Sequence, residues 1–240
     1  MRVTLVFPVY NESRRIQTYV EYLLQGLKDY DLAIILIDDC STDTTPQILD
    51  RMARDHNNVC VFRNESNLGH GPTVIRGLRL AVEDESSVII SSDSDGEISL
   101  EDFASAISIS LHPNFQILEG VRENRASDPI RNVVSFMAKV LVAIKSGQKT
   151  SDANTPFRAY NPLVLRRLLS MIPDSILIPN IWFSIYARRS NLDIETIELK
   201  PNGLKGAAFD GSSWSDKTRL TQRINFLKFS YKAFRQVVGI

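Results

Sequence analysis

Apolar residues along this chain alternate between two kinds of pattern. Short continuous runs rich in Val, Ile, Leu and Phe occur at residues 3–9, 32–37, 59–62, 88–92 and 115–121. Runs of that length bounded by polar, turn-forming residues predict strands buried on both faces. Between them, apolar positions recur at helical spacing: Ile16, Tyr19, Val20, Leu23, Leu24 and Leu27, then Ile48, Met52 and Ala53, then Val74, Leu78, Ala81 and Val82. Strands alternating with helices predict an α/β fold, a mostly parallel Rossmann-like sheet flanked by helices and joined by right-handed crossovers.

Past residue 122 the pattern becomes mainly helical. Residues 133–144 read as a buried helix, 163–171 and 181–188 as two more, and 196–199 as a further strand. Residues 203–213, rich in Gly, Ser and Ala, read as a mobile loop. Leu220, Ile224, Leu227, Tyr231, Phe234 and Val238 then repeat in steps of four and three, with six basic residues and no acid over 217–240. The expected organisation is one domain over 1–215, divided into halves 1–120 and 121–215, followed by a basic amphipathic helical tail at 216–240. Such a tail suits an anionic membrane surface, the protein's own core or a homodimer seam, since amphipathicity does not name its partner.

Composition narrows the class. Of 240 residues, 43% are apolar and 23% charged, which is the globular range and excludes disordered, collagen-like and coiled-coil chains. Cys40 and Cys60 are the only cysteines and show neither metal-ligand spacing nor a disulfide framework, which fits a reducing compartment. No signal peptide and no spanning helix are expected, so the reading is a cytoplasmic protein able to touch the inner face of a membrane without crossing it. The net charge of zero conceals an asymmetry. Residues 1–120 carry 9 Lys and Arg against 19 Asp and Glu, and residues 121–240 carry 19 against 9. An acidic half suits a metal and a nucleotide, and a basic half suits an anion. Overall neutrality and the lack of aromatic platforms among the basic residues argue against nucleic acid.

In a parallel α/β sheet, ligands bind at the carboxyl ends of the strands. Polar residues gather there: Pro8 to Glu12 after the first strand, Asp38 to Asp43 after the second, Asn67 to Gly71 after the third and Asp93 to Glu97 after the fourth. Asp38 and Asp39 end an apolar run, where desolvation penalises carboxylates unless something binds them; either a base and ribose, or a helix N-cap role for Asp39 or Ser41, would do so. Tyr10 can stack on a base, Pro8 fixes the chain as it leaves the sheet, and Glu12 is placed for ligand contact or as a first-turn acid. Asp93, Asp95 and Glu97 alternate, so on an extended chain their carboxylates point to one side and would repel until a divalent cation, Mg2+ or Mn2+, joined them. The alternative is an acidic turn capping a helix over 100–109.

These residues resemble family 2 glycosyltransferases, and among them the branch of dolichyl- and polyprenyl-phosphate sugar synthases. Phe7-Pro8-Val9-Tyr10-Asn11-Glu12 is similar to the family's Pro-x-Tyr-Asn-Glu, and Asp38-Asp39-Cys40-Ser41-Thr42-Asp43 to its Asp-Asp-x-Ser-x-Asp. Asn67, Gly69, Gly71, Gly77 and Ala81 match a third block, and Asp93-Ser94-Asp95 the metal motif. Gly120-Val121-Arg122, with Arg131 and Ser135 downstream, resembles the Gly-x-Arg block, and Asp152 through Phe157-Arg158 the Asp-x-x-x-Gly-Phe-Arg block. The resemblance spans about two-thirds of the chain.

It implies a GT-A fold whose first half holds the nucleotide sugar and whose second holds the acceptor. It further implies nucleoside contacts at Asp38 or Asp39, a metal at Asp95, and inversion at the anomeric carbon. Asp95, Arg122, Arg131 and Asp152 are the expected catalytic residues. Pro8, Tyr10, Glu12, Asp38, Asp39, Gly71, Asp93 and Arg158 are expected at the substrate, and Asp93, Asp95 and Glu97 at the metal. Arg122, Arg125, Arg131 and Arg158 offer counter-charge to phosphate. Pro156 stands where the family has Gly. The segment Ile178-Pro179-Asn180-Ile181-Trp182 lacks the acidic pair that relatives acting on hydroxyls use as a general base. An acceptor phosphate needs no base, so the expected reaction moves a sugar from a UDP- or GDP-sugar to a polyprenyl-phosphate-type lipid. The alternative acceptor is a carbohydrate hydroxyl, with Asp152 as base, in cell-surface polysaccharide or glycolipid assembly.

Overall fold

The structure, a computed structural model, describes residues 2–122, 129–200 and 231–237. Strands and helices alternate as β1 (Arg2–Val9), α1 (Ile16–Gly26), β2 (Asp31–Asp38), α2 (Thr45–Asp55), β3 (Val59–Arg63), α3 (His70–Ala81), β4 (Val88–Ser91), α4 (Leu100–Ser110), β5 (Ile117–Arg122) and α5 (Pro129–Ser146). They continue as β6 (Arg158–Tyr160), α6 (Pro162–Met171), α7 (Pro179–Arg189) and β7 (Ile194–Leu199). The seven strands form one sheet in the order β3-β2-β1-β4-β6-β5-β7. Every pairing is parallel except those of β6, which runs antiparallel to both β4 and β5.

Because the central strands are apolar on successive residues, each face of the sheet needs a cover. Leu5, Phe7 and Leu36 pack beneath α1, α2 and α4, against Tyr19, Leu23, Met52 and Phe103. Val6, Ile35 and Ile37 turn the other way, onto Val74, Leu78, Leu168 and Phe183 of α3, α6 and α7. Both layers leave the carboxyl ends of β1, β2, β4 and β5 along one edge, which fixes where the site lies.

Two features depart from the sequence reading, and over residues 231–237 the tail takes one of the options left open for it. The strand β6 was not anticipated: three residues between Pro156 and Asn161-Pro162 are too short to show a period, yet they separate β4 from β5. The segment read as a buried helix forms α5, but among its described apolar residues only Ala138 and Val142 are buried, while Phe136 and Ile144 are 67% and 73% exposed. In the tail, residues 231–237 are helical and dock on the core through Ala233, Phe234 and Val237, with the Gln236 amide donating to the Ser175 carbonyl and accepting from the Leu177 N–H. Tyr231, assigned to the apolar stripe, is exposed. The loop read at 203–213, the tail over 216–230 and Arg125 lie outside the described residues.

Candidate active site

The loops after β1 and β2 are locked to each other by local chemistry. Asn11 and Cys40 both adopt left-handed backbone, φ 54° and 60°, a conformation that non-glycine residues hold only when their surroundings enforce it. Here the enforcement is mutual. The Asn11 N–H donates to Ser41 Oγ at 2.9 Å, and Asn11 Oδ1 accepts from the Thr42 N–H at 2.8 Å. Asp43, not Asp39 or Ser41, satisfies the start of α2 by accepting from the Thr45 N–H at 2.9 Å.

Asp38 and Asp39 are buried, and their charge is met within the chain. Asp38 accepts from the Ser41 N–H at 2.9 Å and from Arg63 Nε at 2.8 Å. Asp39 takes Asn64 Nδ2 at 2.7 Å and the N–H groups of Leu68 and Gly69, each at 2.8 Å. Asp39 thus clamps the loop that leads into α3, bringing His70 to the sheet edge, where its Nε2 lies 3.6 Å from an Asp93 carboxylate oxygen. Sequence reasoning missed Asn64 and His70. His70 lies inside the Asn67-to-Gly71 block and Asn64 three residues before it, so the polar character of that block was the available signal.

Gly71 owes its identity to the close approach of another loop. A Cβ there would stand 2.1 Å from the Ile176 carbonyl oxygen and 2.5 Å from that of Leu177. These are backbone atoms that cannot swing aside. Gly71→Ala is therefore expected to cost about 1–3 kcal/mol of stability and to displace the start of α3 from Asp93; urea unfolding measures the first.

The β4 acids sit where strand meets solvent. Helix α4 is capped by Ser99 and Asp102 in a reciprocal capping box, so Asp93, Asp95 and Glu97 are not consumed by the cap. Burial pushes the Asp95 carboxyl up to about 7, and the charges of Asp93 and Glu97 add to that, with Glu12 contributing further. Glu12 is itself raised, first by burial, despite Arg15 beside it. Four acids therefore share one patch. The expectation of three carboxylates converging from an extended strand needs correction: Gly96, at φ 79°, turns the chain between Asp95 and Glu97 and leaves Glu97 exposed. Among the described residues no three acidic, His or Cys side chains are arranged to hold a metal by themselves.

The remaining expected residues divide by exposure. Tyr10 is 44% exposed at the loop after β1, whereas Pro8, two residues earlier, is buried within that strand. Arg122 ends β5 at the same edge and grips Asp152, Nε to Oδ2 at 2.9 Å and Nη2 to Oδ1 at 3.4 Å, while the Asn154 N–H also donates to Oδ1. Arg158, expected at the substrate, is instead enclosed: its guanidinium binds Glu119 at 2.8 Å and Ser184 at 2.7 Å, and Arg188 joins the same glutamate at 2.8 Å. Burial opposes ionisation of Glu119, and the two guanidinium groups overcome it, holding its carboxyl below the usual range. Arg131 belongs to the first turn of α5, and its side chain lies outside the described part.

Glycosyl transferase family 2 matches residues 4–168 of this chain. The undecaprenyl-phosphate 4-deoxy-4-formamido-L-arabinose transferase of Proteus mirabilis is 24% identical over 197 residues, covering 81% of this chain and 59% of that protein. The same-named protein of Pectobacterium carotovorum is 26% identical over 192 residues, covering 78% and 57%. This chain therefore spans less than two-thirds of the length of these relatives. Among solved structures, glucosyl-3-phosphoglycerate synthase of Mycobacterium tuberculosis superposes with a TM-score of 0.65 at 15% identity, covering 99% of this chain and 79% of that one. A mannosyltransferase of Pyrobaculum calidifontis, in complex with GDP-Man and Mn2+, gives 0.58 at 16%, covering 100% and 64%. The shared architecture is the GT-A fold.

Proposed function

This chain belongs to glycosyl transferase family 2, and from that premise we propose that it moves a sugar from a UDP- or GDP-sugar to a polyprenyl-phosphate-type lipid, with inversion at the anomeric carbon. The observation that carries the reading is the acidic patch at the end of β4, where burial, aided by the charges of Asp93 and Glu97, raises the Asp95 carboxyl to about 7. Asp93 and Asp95 fit a Mg2+ or Mn2+ ion, because such ions take one or two carboxylates and fill their remaining positions from substrate phosphates and water. A two-acid seat without an all-protein cage is compatible with an ion shared with a donor diphosphate. When bound, the ion supplies positive charge to the departing diphosphate.

The chain's own residues do the rest. Tyr10 offers a ring to the base. Asp38 and Asp39 hold the loops that frame the nucleoside, and His70 borders the diphosphate. An acceptor phosphate oxygen attacks the anomeric carbon as its bond to the diphosphate oxygen breaks, and Arg122 faces the incoming anion. Two observations favour phosphate over a hydroxyl acceptor. The first turn of α7 holds no acid. Both Asp152 oxygens are engaged by Arg122 and the Asn154 N–H, so the carboxylate offered as the alternative base is already held within the chain. With radiolabelled UDP- and GDP-sugars, Mn2+ and undecaprenyl phosphate, label is expected to move into the organic phase; label appearing only on an added oligosaccharide would reverse the acceptor assignment.

A further inference from the structure

Five of the ten large apolar side chains that stand exposed among the described residues lie on one helix, α5: Val133, Phe136, Met137, Val140 and Ile144. At about 100° per residue they fall within an arc of roughly 100°, opposite Ala138 and Val142, which seat the helix on the core. Lys139 and Lys145 stand about 120° to either side of the centre of that arc. Lys149 follows the helix, and Arg189 reaches its last turn, donating from Nε to the Lys145 carbonyl at 2.8 Å. From Pro129 to Ser151 the sequence contains no Asp or Glu.

An apolar stripe on a helix whose charged residues are all cations is complementary to a surface with an apolar interior and an anionic skin. We propose that α5 is a lipid-docking helix, lying in the plane of an anionic bilayer surface with Phe136, Met137 and Ile144 inserted and the lysines at headgroup level. Its 18 residues span about 27 Å, suited to lying along a surface, and no helix of the described residues is long and apolar enough to cross one. A second copy fits less well. The same cations would face one another across the seam, and one helix stripe offers far less than the roughly 1,000 Å² of a specific interface.

The placement has a consequence for the site. Helix α5 follows β5, whose last residue, Arg122, shares the sheet edge with the β4 acids. Docking α5 would tether the chain just past that edge to the surface that carries a lipid-borne acceptor. The docking surface stands whether the acceptor is a lipid or a glycan, so its failure and the failure of the acceptor assignment are separate results.

The test is co-sedimentation of the full chain with vesicles of phosphatidylcholine, with and without phosphatidylglycerol. The wild type is expected to bind the anionic vesicles at least about tenfold more tightly than neutral ones, because each lysine near such a surface contributes about 1 kcal/mol. The paired change Phe136→Ser with Ile144→Ser should weaken binding at least about tenfold with an unchanged melting temperature, since both side chains already face solvent. Lys139→Glu with Lys145→Glu should remove the preference for phosphatidylglycerol, a readout that does not depend on the serine variant folding. Wild-type protein that stays in the supernatant, or serine variants that bind as well as wild type, would overturn the proposal. So would a dimer seen by light scattering that the serine changes abolish.

Discussion

Replacing Asp95 by Asn is expected to abolish sugar transfer and, in the same molecule, to stabilise the metal-free fold. The two effects share a cause. Burial and the nearby charges of Asp93, Glu97 and Glu12 push the Asp95 carboxyl from 3.8 to about 7, so the folded protein holds a proton there that the unfolded chain has released. A carboxyl raised in the folded state costs nothing below the unfolded value, where both states are protonated. Its penalty grows as pH climbs from about 4 toward 7 and is complete above that. The Asn variant lacks the penalty. Its advantage should be near zero at pH 4 and about 1–3 kcal/mol at pH 8, from roughly 1.4 kcal/mol per pH unit, discounted for the solvent that still reaches this side chain.

Urea unfolding in chelator at the two pH values reads that difference. Adding Mn2+ should raise the melting point of the wild type and not of the variant, because only a ligand of the native state shifts the equilibrium. Transfer should fall by about a thousandfold, the rate equivalent of about 4 kcal/mol. A variant less stable than wild type at pH 8 would mark Asp95 as a structural acid, and undiminished transfer would remove it from the reaction.

This pairing of instability with chemistry explains what was readable in the chain. Continuous apolar runs at β1, β2 and β4 and helical periods at α1 and α3 were legible because burial on both faces of a parallel sheet leaves a dense signal. The edge was legible too, since four strands each end in polar, turn-forming residues. The side-chain partners were not. Asp39 is spent on the N–H groups of Leu68 and Gly69, a contact across 29 and 30 residues, and no local pattern announces it. Glu97 was grouped with Asp93 and Asp95 on the assumption of extended backbone; the positive φ at Gly96 breaks that assumption. For α5 the period was read correctly and the burial was not, because an apolar stripe looks the same in sequence whether it meets the core or stands exposed.

Arg158 is the sharpest case of a motif residue with a different occupation, and the pair it forms yields the second large effect. Its arginine was expected to face phosphate, yet Glu119, Arg158, Arg188 and Ser184 form a closed set in which every member is almost fully buried. The set ties β5 to β6 and α7, and β5 carries Arg122 to the site edge. Glu119 is the sole acid that the two guanidinium groups share in this set, so Glu119→Gln should cost about 3–5 kcal/mol by stranding two buried cations. Arg158→Met should cost less, because Glu119 keeps Arg188 as a partner and the aliphatic replacement fills most of the space. The effects are expected to be non-additive: the double variant should be more stable than the sum of the single losses implies, since removing Arg158 takes away one of the charges that Glu119→Gln leaves exposed to the core. The Glu119 contribution also carries a pH signature. Its carboxyl is held below the usual range, so the stabilisation is present above the unfolded value of 4.5 and is lost as pH falls through the folded one. Chemical unfolding of the three variants at neutral pH decides the matter. A Glu119→Gln protein within 1 kcal/mol of wild type, or strict additivity, would mean that water reaches these groups and that the motif arginine is available to substrate after all.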